Sequence, residues 1–233
     1  MLLRIETSLR AMARKAGMVP ILQSAKTKLF GKKNHEEAFD LALMRELKAG
    51  DVIYDVGANI GDYTEKFAQC VGSEGNVVAF EPSPDAAAKI RIRCQGYSHV
   101  QVLQIALADQ NTTMALNLGD SSDSPVNSLA IEKACGKTID VSVARAESLV
   151  SRQNLRKPNV IKIDVEGFEA EVIAGFGALL LDQSLRAIFL EVHFTILDAR
   201  GKRHAPAQIV ELLRGKGFKV HWTDASHLVA QRS

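Results

Sequence analysis

Acidic side chains stand at or beside the ends of several apolar runs in this chain. Asp55 lies in "VIYDV", Glu81 ends "NVVAFE", and Asp164 ends "NVIKID". Glu191 lies in "RAIFLEVHF", where His193 follows two residues later. Carboxylates and an imidazole can accept protons, bind hydroxyl groups or hold a cation. If these runs are parallel strands of one sheet, their carboxyl ends meet at one edge, which is where such sheets bind ligands.

A glycine loop follows the first run and reads Gly57-Ala-Asn59-Ile-Gly61. Glycine loops after strands commonly hold a dinucleotide, but that pattern requires a glycine where Asn59 stands. Glu81 follows Gly61 by twenty residues, a spacing that suits a ribose-binding acid for more than one cofactor class. The carboxylate of Asp55 favours a cationic ligand, because a pyrophosphate about 4 Å away would be repelled by several kcal/mol in a partly dry site.

S-adenosylmethionine satisfies these requirements. Its amino group and sulfonium are positive, its ribose offers a diol, and its carboxylate suits a helix N-terminus. Asp55 would then hold or orient the methionine end, and Glu81 would accept hydrogen bonds from the ribose hydroxyls. Gly57 and Gly61 would let the backbone pass close to the ligand.

Strand-like and helix-like segments alternate from residue 34 onward, which indicates an α/β fold with a mainly parallel sheet and helices on both faces. The predicted helices cover residues 34–50, 62–71, 83–94, 168–180 and 205–217, and the predicted strands cover residues 52–56, 76–81, 100–107, 159–164 and 186–194. Residues 113–118 and 139–144 predict an inserted β-hairpin. Residues 218–222 and 227–231 predict an antiparallel hairpin at the C-terminus.

We divide the 233 residues into a basic helical N-terminal arm, residues 1–33, and one α/β domain, residues 34–233. The arm has eight Lys and Arg residues against Glu6 alone, or +7, whereas the domain has 21 basic and 26 acidic residues, or −5. Such an arm can make a peripheral contact with an anionic membrane, or it can pack its apolar residues on the domain. We expect no nucleic-acid partner.

Cysteine usage and hydropathy bear on the compartment. Cys70, Cys94 and Cys135 are odd in number and widely spaced, which is typical of a reducing compartment. No apolar run approaches the roughly 18 residues needed to cross a bilayer. The first residues also lack the continuous apolar core of a secretory signal. We therefore expect a cytoplasmic protein.

Four stretches carry a resemblance to a known family. "DVGANIGDYT", "VVAFEPSP", "IALAD" and "IKIDVEGFEAEVIAG", in this order and spacing, resemble the FkbM family of S-adenosylmethionine-dependent methyltransferases. The resemblance covers roughly residues 45–195 and implies a class I (Rossmann-like) methyltransferase domain with a seven-stranded sheet. It also implies O-methylation of a hydroxyl on a sugar, glycolipid or other natural product. The expected partner is therefore a small-molecule or glycan acceptor.

The resemblance also implies contacts with S-adenosylmethionine. They fall on Asp55, Gly57, Asn59, Gly61 and Glu81, with the adenine near Ala106 and Leu107. The chain departs from the family where members often carry Thr-Leu-Asp, because it has Arg145-Ala146-Glu147 there. If this stretch borders the acceptor pocket, Arg145 favours an acidic or phosphorylated acceptor.

Asp164, His193 and Glu191 are the candidate catalytic residues. An alcohol is a poor nucleophile and benefits from a base or a metal ion. Asp164 is the preferred base or orienting group, although it could instead cap a helix that begins near Gly167. Glu191 and His193 are two residues apart on one predicted strand, so their side chains lie on the same face. Three residues scattered along the sequence are a sparse ligand set, so we expect a site without a metal.

Two other functions remain open at this point. One is a Rossmann-type oxidoreductase that uses NAD(P), because the glycine loop alone does not separate the two cofactor classes. The other is a non-catalytic module that binds the cofactor. The oligomeric state is left open.

Overall fold

The computed structural model describes residues 33–118, 128–130 and 138–232. The proposed basic arm, apart from Lys33, and Cys135 lie outside the described residues. The helices are α1 (Lys33–Glu46), α2 (Asp62–Val71), α3 (Pro84–Arg93), α4 (Ala146–Gln153), α5 (Glu169–Gly175), α6 (Phe194–Ala199) and α7 (Ala205–Gly215), and a 3₁₀ helix spans Gly177–Leu181. The strands are β1 (Val52–Val56), β2 (Asn76–Phe80), β3 (Val100–Leu103), β4 (Ala106–Leu107), β5 (Thr112–Asn117), β6 (Ser128–Ala130), β7 (Thr138–Ala144), β8 (Val160–Ile163), β9 (Ala187–Glu191), β10 (Lys219–Trp222) and β11 (His227–Gln231).

The main sheet has seven strands in the order β10-β11-β9-β8-β1-β2-β3. Strands β9, β8, β1, β2 and β3 are parallel, and β11 and β10 are antiparallel. The strand order reverses at β1, because the chain moves outward to β2 and β3 and then returns to β8 on the other side. Ligands of open α/β sheets bind beyond the carboxyl ends of the strands at such a point. The predicted fold class, including the terminal hairpin, is confirmed.

Helices cover both faces of the main sheet, as the alternation of segments predicts. On one face Tyr54 and Ile161 pack with Phe176 in a large buried cluster that also includes side chains of α5 and α7. On the other face Ile53 packs with Phe67 of α2 in a second cluster, to which α1 also contributes. Successive residues of a strand point to opposite faces, so Asp55 lies on the α2 side with Ile53.

The predicted strand over 100–107 is wrong as a single element. It breaks after Leu103, where the amide of Ile105 donates a hydrogen bond back to the carbonyl of Leu103 at 2.9 Å. The chain thereby turns off the edge of the main sheet and continues as β4, which pairs with β7.

The predicted inserted hairpin is present, because β5 and β7 are antiparallel with Leu116 opposite Ile139. It is part of a second sheet of four strands in the order β4-β7-β5-β6. The prediction missed this larger sheet because β4 and β6 are only two and three residues long, too short for a periodic pattern.

Two further boundaries differ from the sequence prediction. The predicted strand over 186–194 ends at Glu191, and the short helix α6 begins at Phe194. Helix α4 was not predicted at all. Among the described helices, none is both long and apolar enough to span a bilayer.

Candidate active site

An open cleft lies at the carboxyl edge of the main sheet, beside the strand-order reversal. Its polar wall includes Glu81, Asp164 and Glu166. Its apolar wall includes Ala106 and Leu107 of β4, which are both buried. The remaining lining residues are Val56, Gly57, Asn59, Phe80, Pro82, Leu116, Val165 and Phe168. The structure therefore brings most of the expected cofactor residues to one cavity.

Glu81 is held by backbone amides at the end of β2. Its Oε2 accepts a hydrogen bond from the amide of Asn59 at 2.8 Å, and its Oε1 accepts one from the amide of Ser83 at 2.9 Å. Burial raises the pKa of Glu81 to about 7, although the two amide bonds oppose the shift. A carboxylate has about four acceptor positions, so both oxygens retain capacity for a diol. The geometry fits the ribose-binding role expected for this residue.

The glycine loop is hydrogen-bonded to the end of β2 and lies close to the backbone of Asp164. The amides of Gly57 and Ala58 both donate to the carbonyl of Phe80, at 3.0 and 3.2 Å. Gly57 has φ +79°, and a Cβ on it would lie 1.8 Å from the carbonyl oxygen of Asp164. Asn59 also takes a left-handed conformation, with φ 50°. Left-handed backbone favours glycine and tolerates asparagine, so this loop conformation explains its sequence.

Gly61 lies just outside the cleft wall, where it precedes α2. It has φ +86°, and a Cβ there would lie 3.2 Å from Ile90. Its place at the N-terminus of α2 puts the positive end of that helix beside the loop. The expected contact of Gly61 with the cofactor stays a prediction.

Asp55 lies beneath the loop rather than in the cleft wall. Its carboxylate is completely buried, where Oδ2 accepts a hydrogen bond from Thr64 at 2.7 Å and Oδ1 lies 3.9 Å from the Lys162 ammonium. Burial raises the pKa of Asp55, and Lys162 and Thr64 oppose the shift. The Lys162 ammonium partly offsets the charge of Asp55, so the carboxylate of Asp55 does not by itself exclude a pyrophosphate. Its role toward the methionine end stays a prediction.

Lys162 is a candidate site residue that sequence reasoning missed. It is buried in β8, its ammonium lies 3.4 Å from Asp164 Oδ2, and it also lies over the ring of Tyr63 at 4.6 Å. Burial lowers the pKa of Lys162, but the charges of Asp164 and Asp55 outweigh burial and the net shift is upward. The signal was present in "NVIKID", where one cation interrupts an apolar buried strand.

Asp164 follows β8 and reaches the cleft. The alternative that it caps the next helix is wrong, because α5 begins at Glu169 after Phe168 and no described side chain caps it. Glu166, which lies between Asp164 and α5, has φ 48°, an uncommon left-handed conformation for a glutamate. That conformation brings Glu166 Oε2 to 3.3 Å from Nε2 of His193. The tight turn therefore places two carboxylates at the same edge.

His193 lies at the centre of a carboxylate cluster. Its Nδ1 is 2.7 Å from Glu169 Oε1, and its Nε2 is 3.6 Å from Asp164 Oδ1 and 3.9 Å from Glu191 Oε1. Burial lowers the pKa of His193, but the hydrogen bond to Glu169 and the charges of Glu166, Glu169 and Asp164 raise it to about 9. The three candidate catalytic residues are therefore brought together.

Glu191 and His193 do not lie on one shared strand. The sequence predicts that both side chains lie on one face of a single strand, but β9 ends at Glu191 and His193 directly precedes α6. The carboxylate of Glu169 fixes His193 instead, because its Oε1 also accepts a hydrogen bond from the His193 amide at 3.1 Å. Glu169 is fully buried, and its Oε2 has no hydrogen-bond partner among the described residues.

Glu191 is supported from the terminal hairpin. His227 Nε2 lies 3.6 Å from Glu191 Oε2, and His227 Nδ1 lies 2.8 Å from Asp224 Oδ2. Hydrogen bonding from His227 lowers the pKa of Glu191. Burial lowers the pKa of His227, but Asp224 and Glu191 raise it to about 9. No local sequence pattern indicates this role of His227, since Glu191 is distant in the chain and Asp224 is reached through a turn.

The guanidinium of Arg145 is engaged by neighbouring residues. Its guanidinium donates to the carbonyl of Asp109 at 2.7 Å and pairs with Glu147 at 3.3 Å. It is also not among the described residues that line the cleft. The departure from the family pattern at Arg145 therefore gives no reason to expect an acidic acceptor.

Three characterised proteins show similarity to this chain. The hexuronic acid methyltransferase AglP of Haloferax volcanii is 30% identical over 154 residues, covering 65% of this chain and 59% of that protein. The 31-O-demethyl-FK506 methyltransferase FkbM of Streptomyces tacrolimicus is 30% identical over 204 residues, covering 75% of each. The 2-O-methyltransferase NoeI of Sinorhizobium fredii is 28% identical over 142 residues, covering 55% of this chain and 58% of that protein. The chain thus spans less than two thirds of AglP and NoeI.

Solved structures share the fold at low identity. A putative rRNA methylase from Clostridium thermocellum has a TM-score of 0.54 at 12% identity, covering 88% of this chain and 99% of that chain. A fibrillarin/Nop5p complex gives a TM-score of 0.51 at 15% identity, covering 80% of this chain and 75% of that chain. These likenesses show the class I methyltransferase fold alone.

The family model described as the methyltransferase FkbM domain matches residues 55–220, from Asp55 in β1 to Val220 in β10. The match spans the glycine loop, Glu81, the second sheet and the carboxylate cluster. It decides between the two cofactor classes that the glycine loop left open. The chain belongs to the FkbM family of S-adenosylmethionine-dependent methyltransferases.

Proposed function

We propose that this chain methylates a hydroxyl oxygen of a sugar, glycolipid or other natural product. The observation that carries the proposal is that Glu81 and Asp164 line one cleft at the carboxyl edge of the sheet. Glu81 suits a ribose diol, and Asp164 suits an acceptor hydroxyl. Cofactor and acceptor would therefore meet between β2 and β8, the strands on either side of β1.

The residues of the cleft fit S-adenosylmethionine. Glu81 would accept hydrogen bonds from the ribose hydroxyls, and Gly57 and Asn59 would bring backbone close to the ligand. Ala106 and Leu107 offer buried apolar surface for the adenine. Bound S-adenosylmethionine supplies an electrophilic methyl group on a positively charged sulfur. Asp55 contributes from below the loop, where it fixes α2 through Thr64.

Asp164 is the proposed base or orienting carboxylate for the acceptor. The acceptor hydroxyl loses a proton as its oxygen takes up the methyl group, and a positioned carboxylate can receive this proton or direct it to water. The ammonium of Lys162 pairs with Oδ2 of Asp164, and Oδ1 of Asp164 faces His193. His193 and Glu191 complete the acceptor side. Alignment of acceptor and donor supplies much of the rate enhancement in such displacements.

The names of the relatives narrow the proposed acceptor class. One relative is named a hexuronic acid methyltransferase, one a 31-O-demethyl-FK506 methyltransferase and one a 2-O-methyltransferase. A small-molecule or glycan hydroxyl is therefore the proposed acceptor for this chain. We also keep the cytoplasm as the proposed compartment and the basic arm as a proposed peripheral membrane contact, both on sequence grounds.

The decisive experiment is transfer of labelled methyl from S-adenosylmethionine to a panel of neutral glycosides, hexuronic acid glycosides, glycolipids and macrolides. We expect a product whose label survives mild alkali, because a methyl ether resists hydrolysis and a methyl ester does not. Label that is released by alkali would show a carboxylate acceptor and contradict the proposal. Label on an amine or thiol would contradict it as well.

Slow background turnover separates an inactive module from an enzyme whose acceptor is missing from the panel. Titration with S-adenosylhomocysteine should show binding regardless of the acceptor. A chain that binds S-adenosylhomocysteine, and that slowly hydrolyses S-adenosylmethionine or transfers its labelled methyl group to added polyols, is an enzyme. A chain that binds it but neither hydrolyses S-adenosylmethionine nor transfers the methyl group to added polyols would support the non-catalytic module.

A further inference from the structure

Asp164, Glu191 and His193 present ligand atoms of the kinds that bind divalent cations. These atoms all lie within 4.8 Å of one another. The His193 Nε2 is 3.6 Å from Asp164 Oδ1 and 3.9 Å from Glu191 Oε1. Two atoms that each bind one ion at about 2.1 Å are separated by about 3.0 Å at right angles and about 3.6 Å at 120°. The separations are therefore close to those of ligands around one ion.

An outer layer orients the imidazole. Metal-bound histidines usually donate their second ring N–H to a carboxylate. Glu169 occupies this position at 2.7 Å from Nδ1, and it is completely buried. Its Oε2 has no hydrogen-bond partner among the described residues, so its charge is only partly satisfied by the protein. This pair leaves Nε2 directed toward Asp164 and Glu191.

An independent outer layer orients Glu191. The pair formed by Asp224 and His227 comes from the terminal hairpin, and His227 Nε2 approaches the Glu191 oxygen that does not face His193. Asp224 is itself fixed, because its Oδ1 accepts hydrogen bonds from the amides of Ser226 and His227 at 2.8 and 3.0 Å. Glu169 thus orients His193, and the pair of Asp224 and His227 orients Glu191, each from the side away from the cluster.

The charge around His193 is unbalanced. The carboxylates of Asp164, Glu166, Glu169 and Glu191 all lie within 3.9 Å of its ring nitrogens. Lys162 is shared between Asp164 and Asp55, and His227 is shared between Glu191 and Asp224, so neither cation offsets the surplus. Partly buried negative charge in excess of its cationic partners is costly, and a divalent cation would compensate it.

We propose that Asp164, Glu191 and His193 bind a divalent cation beside the cofactor cleft. Mixed carboxylate and imidazole ligands suit Mn²⁺ and related ions, and Glu166 stands at 3.3 Å from the same nitrogen as a further oxygen ligand. The cation site itself does not depend on the acceptor. Only its task rests on the proposed function: it would hold the acceptor hydroxyl and lower the pKa of that group. Asp164 then holds the cation, and the proton that the acceptor hydroxyl loses passes to solvent water.

The test is calorimetric titration of the full chain with Mn²⁺ at pH 8, after removal of metals with a chelator. We expect one equivalent to bind with a Kd of about 100 µM or tighter. Glu191→Gln and His193→Ala should each weaken binding at least tenfold. Glu211→Gln, on the exposed face of α7, is the matched control and should bind as the parent does.

Each outcome is informative. A Kd above about 1 mM for both Mn²⁺ and Zn²⁺ would overturn the proposal, as would tight binding that neither variant weakens. Because His193→Ala removes a partly buried side chain, a titration with S-adenosylhomocysteine checks that each variant is folded. That titration also separates the two ideas: a chain that binds Mn²⁺ but not S-adenosylhomocysteine would retain the cation site and contradict the proposed function.

Discussion

The backbone carbonyl of Asp164 faces Gly57 so closely that a Cβ on Gly57 would lie 1.8 Å from its oxygen. This contact joins the proposed cofactor loop after β1 to the proposed acceptor residue after β8. Gly57→Ala should therefore displace one of the two, weaken S-adenosylhomocysteine binding at least tenfold and lower the melting temperature. Gly50→Ala is the matched control, because Gly50 has φ +83° and nothing within 4 Å of the added carbon. The control should cost only about 1–2 kcal/mol of backbone strain, and equal effects of the two variants on cofactor affinity would contradict the steric argument.

Glu81 makes cofactor binding depend on pH. Its pKa in the protein is about 7, and only the ionised form accepts hydrogen bonds from both ribose hydroxyls at full strength. Affinity for S-adenosylhomocysteine should rise about tenfold from pH 6 to pH 8. Glu81→Ala should weaken binding at least tenfold and remove most of the pH dependence, as measured by calorimetry. Asp85→Asn, exposed in the first turn of α3, should change neither quantity.

The same shift gives a stability prediction of opposite sign. The pKa of Glu81 is raised from 4.5 to about 7, so the folded state without cofactor binds more protons than the unfolded state in this window. Ionisation of Glu81 therefore lowers the free energy of unfolding as pH rises from 4.5 through 7. We expect the difference in unfolding free energy between Glu81→Gln and the parent, measured in urea, to shift in favour of the variant across this window. A difference that is constant with pH would show that Glu81 is not titrating there.

Lys162 should matter for stability far more than an exposed lysine in a shorter ion pair. Lys162→Met leaves Asp55 and Asp164 without their buried ammonium, a loss that costs about 3–5 kcal/mol in comparable pairs. Lys157→Met removes a surface pair with Asp182 at 2.7 Å, worth about 0–1 kcal/mol. Urea unfolding of both variants measures the contrast. Similar small losses would mean that Lys162 does not balance the two acids.

Asp164→Asn should reduce turnover by about 10²-fold or more once an acceptor is identified. The asparagine keeps the shape of the side chain and removes its charge. Affinity for S-adenosylhomocysteine should stay within a few-fold of the parent. Full turnover in both Asp164→Asn and His193→Ala would place the chemistry elsewhere in the cleft.

Deleting residues 1–30 should leave S-adenosylhomocysteine affinity unchanged, because the cofactor residues begin at Asp55. If the arm binds an anionic membrane surface, the full chain should bind anionic vesicles in a salt-sensitive way and the truncated chain should not. If the arm only packs on the domain, truncation should lower the melting temperature. Loss of cofactor affinity would mean that the arm contributes to the cleft.

Much of the fold could be read from the sequence, because the signals are local. Apolar strands of four to five residues alternate with helices, and this pattern alone specifies a parallel sheet covered on both faces. The positions of Glu81 and Asp164 at strand ends follow from the same pattern. The conformation of Gly57 and Asn59 is also a local matter, since left-handed backbone selects these residue types.

Only the tertiary structure decided which charges meet. Lys162 lies two residues before Asp164 but 107 residues after Asp55, and the pairing of β1 with β8 is what brings its ammonium between the two acids. Glu169 reaches His193 because α5 returns toward the end of β9, and His227 reaches Glu191 because β11 pairs antiparallel with β9. The sequence by itself determined the residue types at the edge of the sheet, since burial and backbone conformation act on each segment separately. The strand order determined their neighbours, and an electrostatic site depends on distances between segments that no local pattern contains.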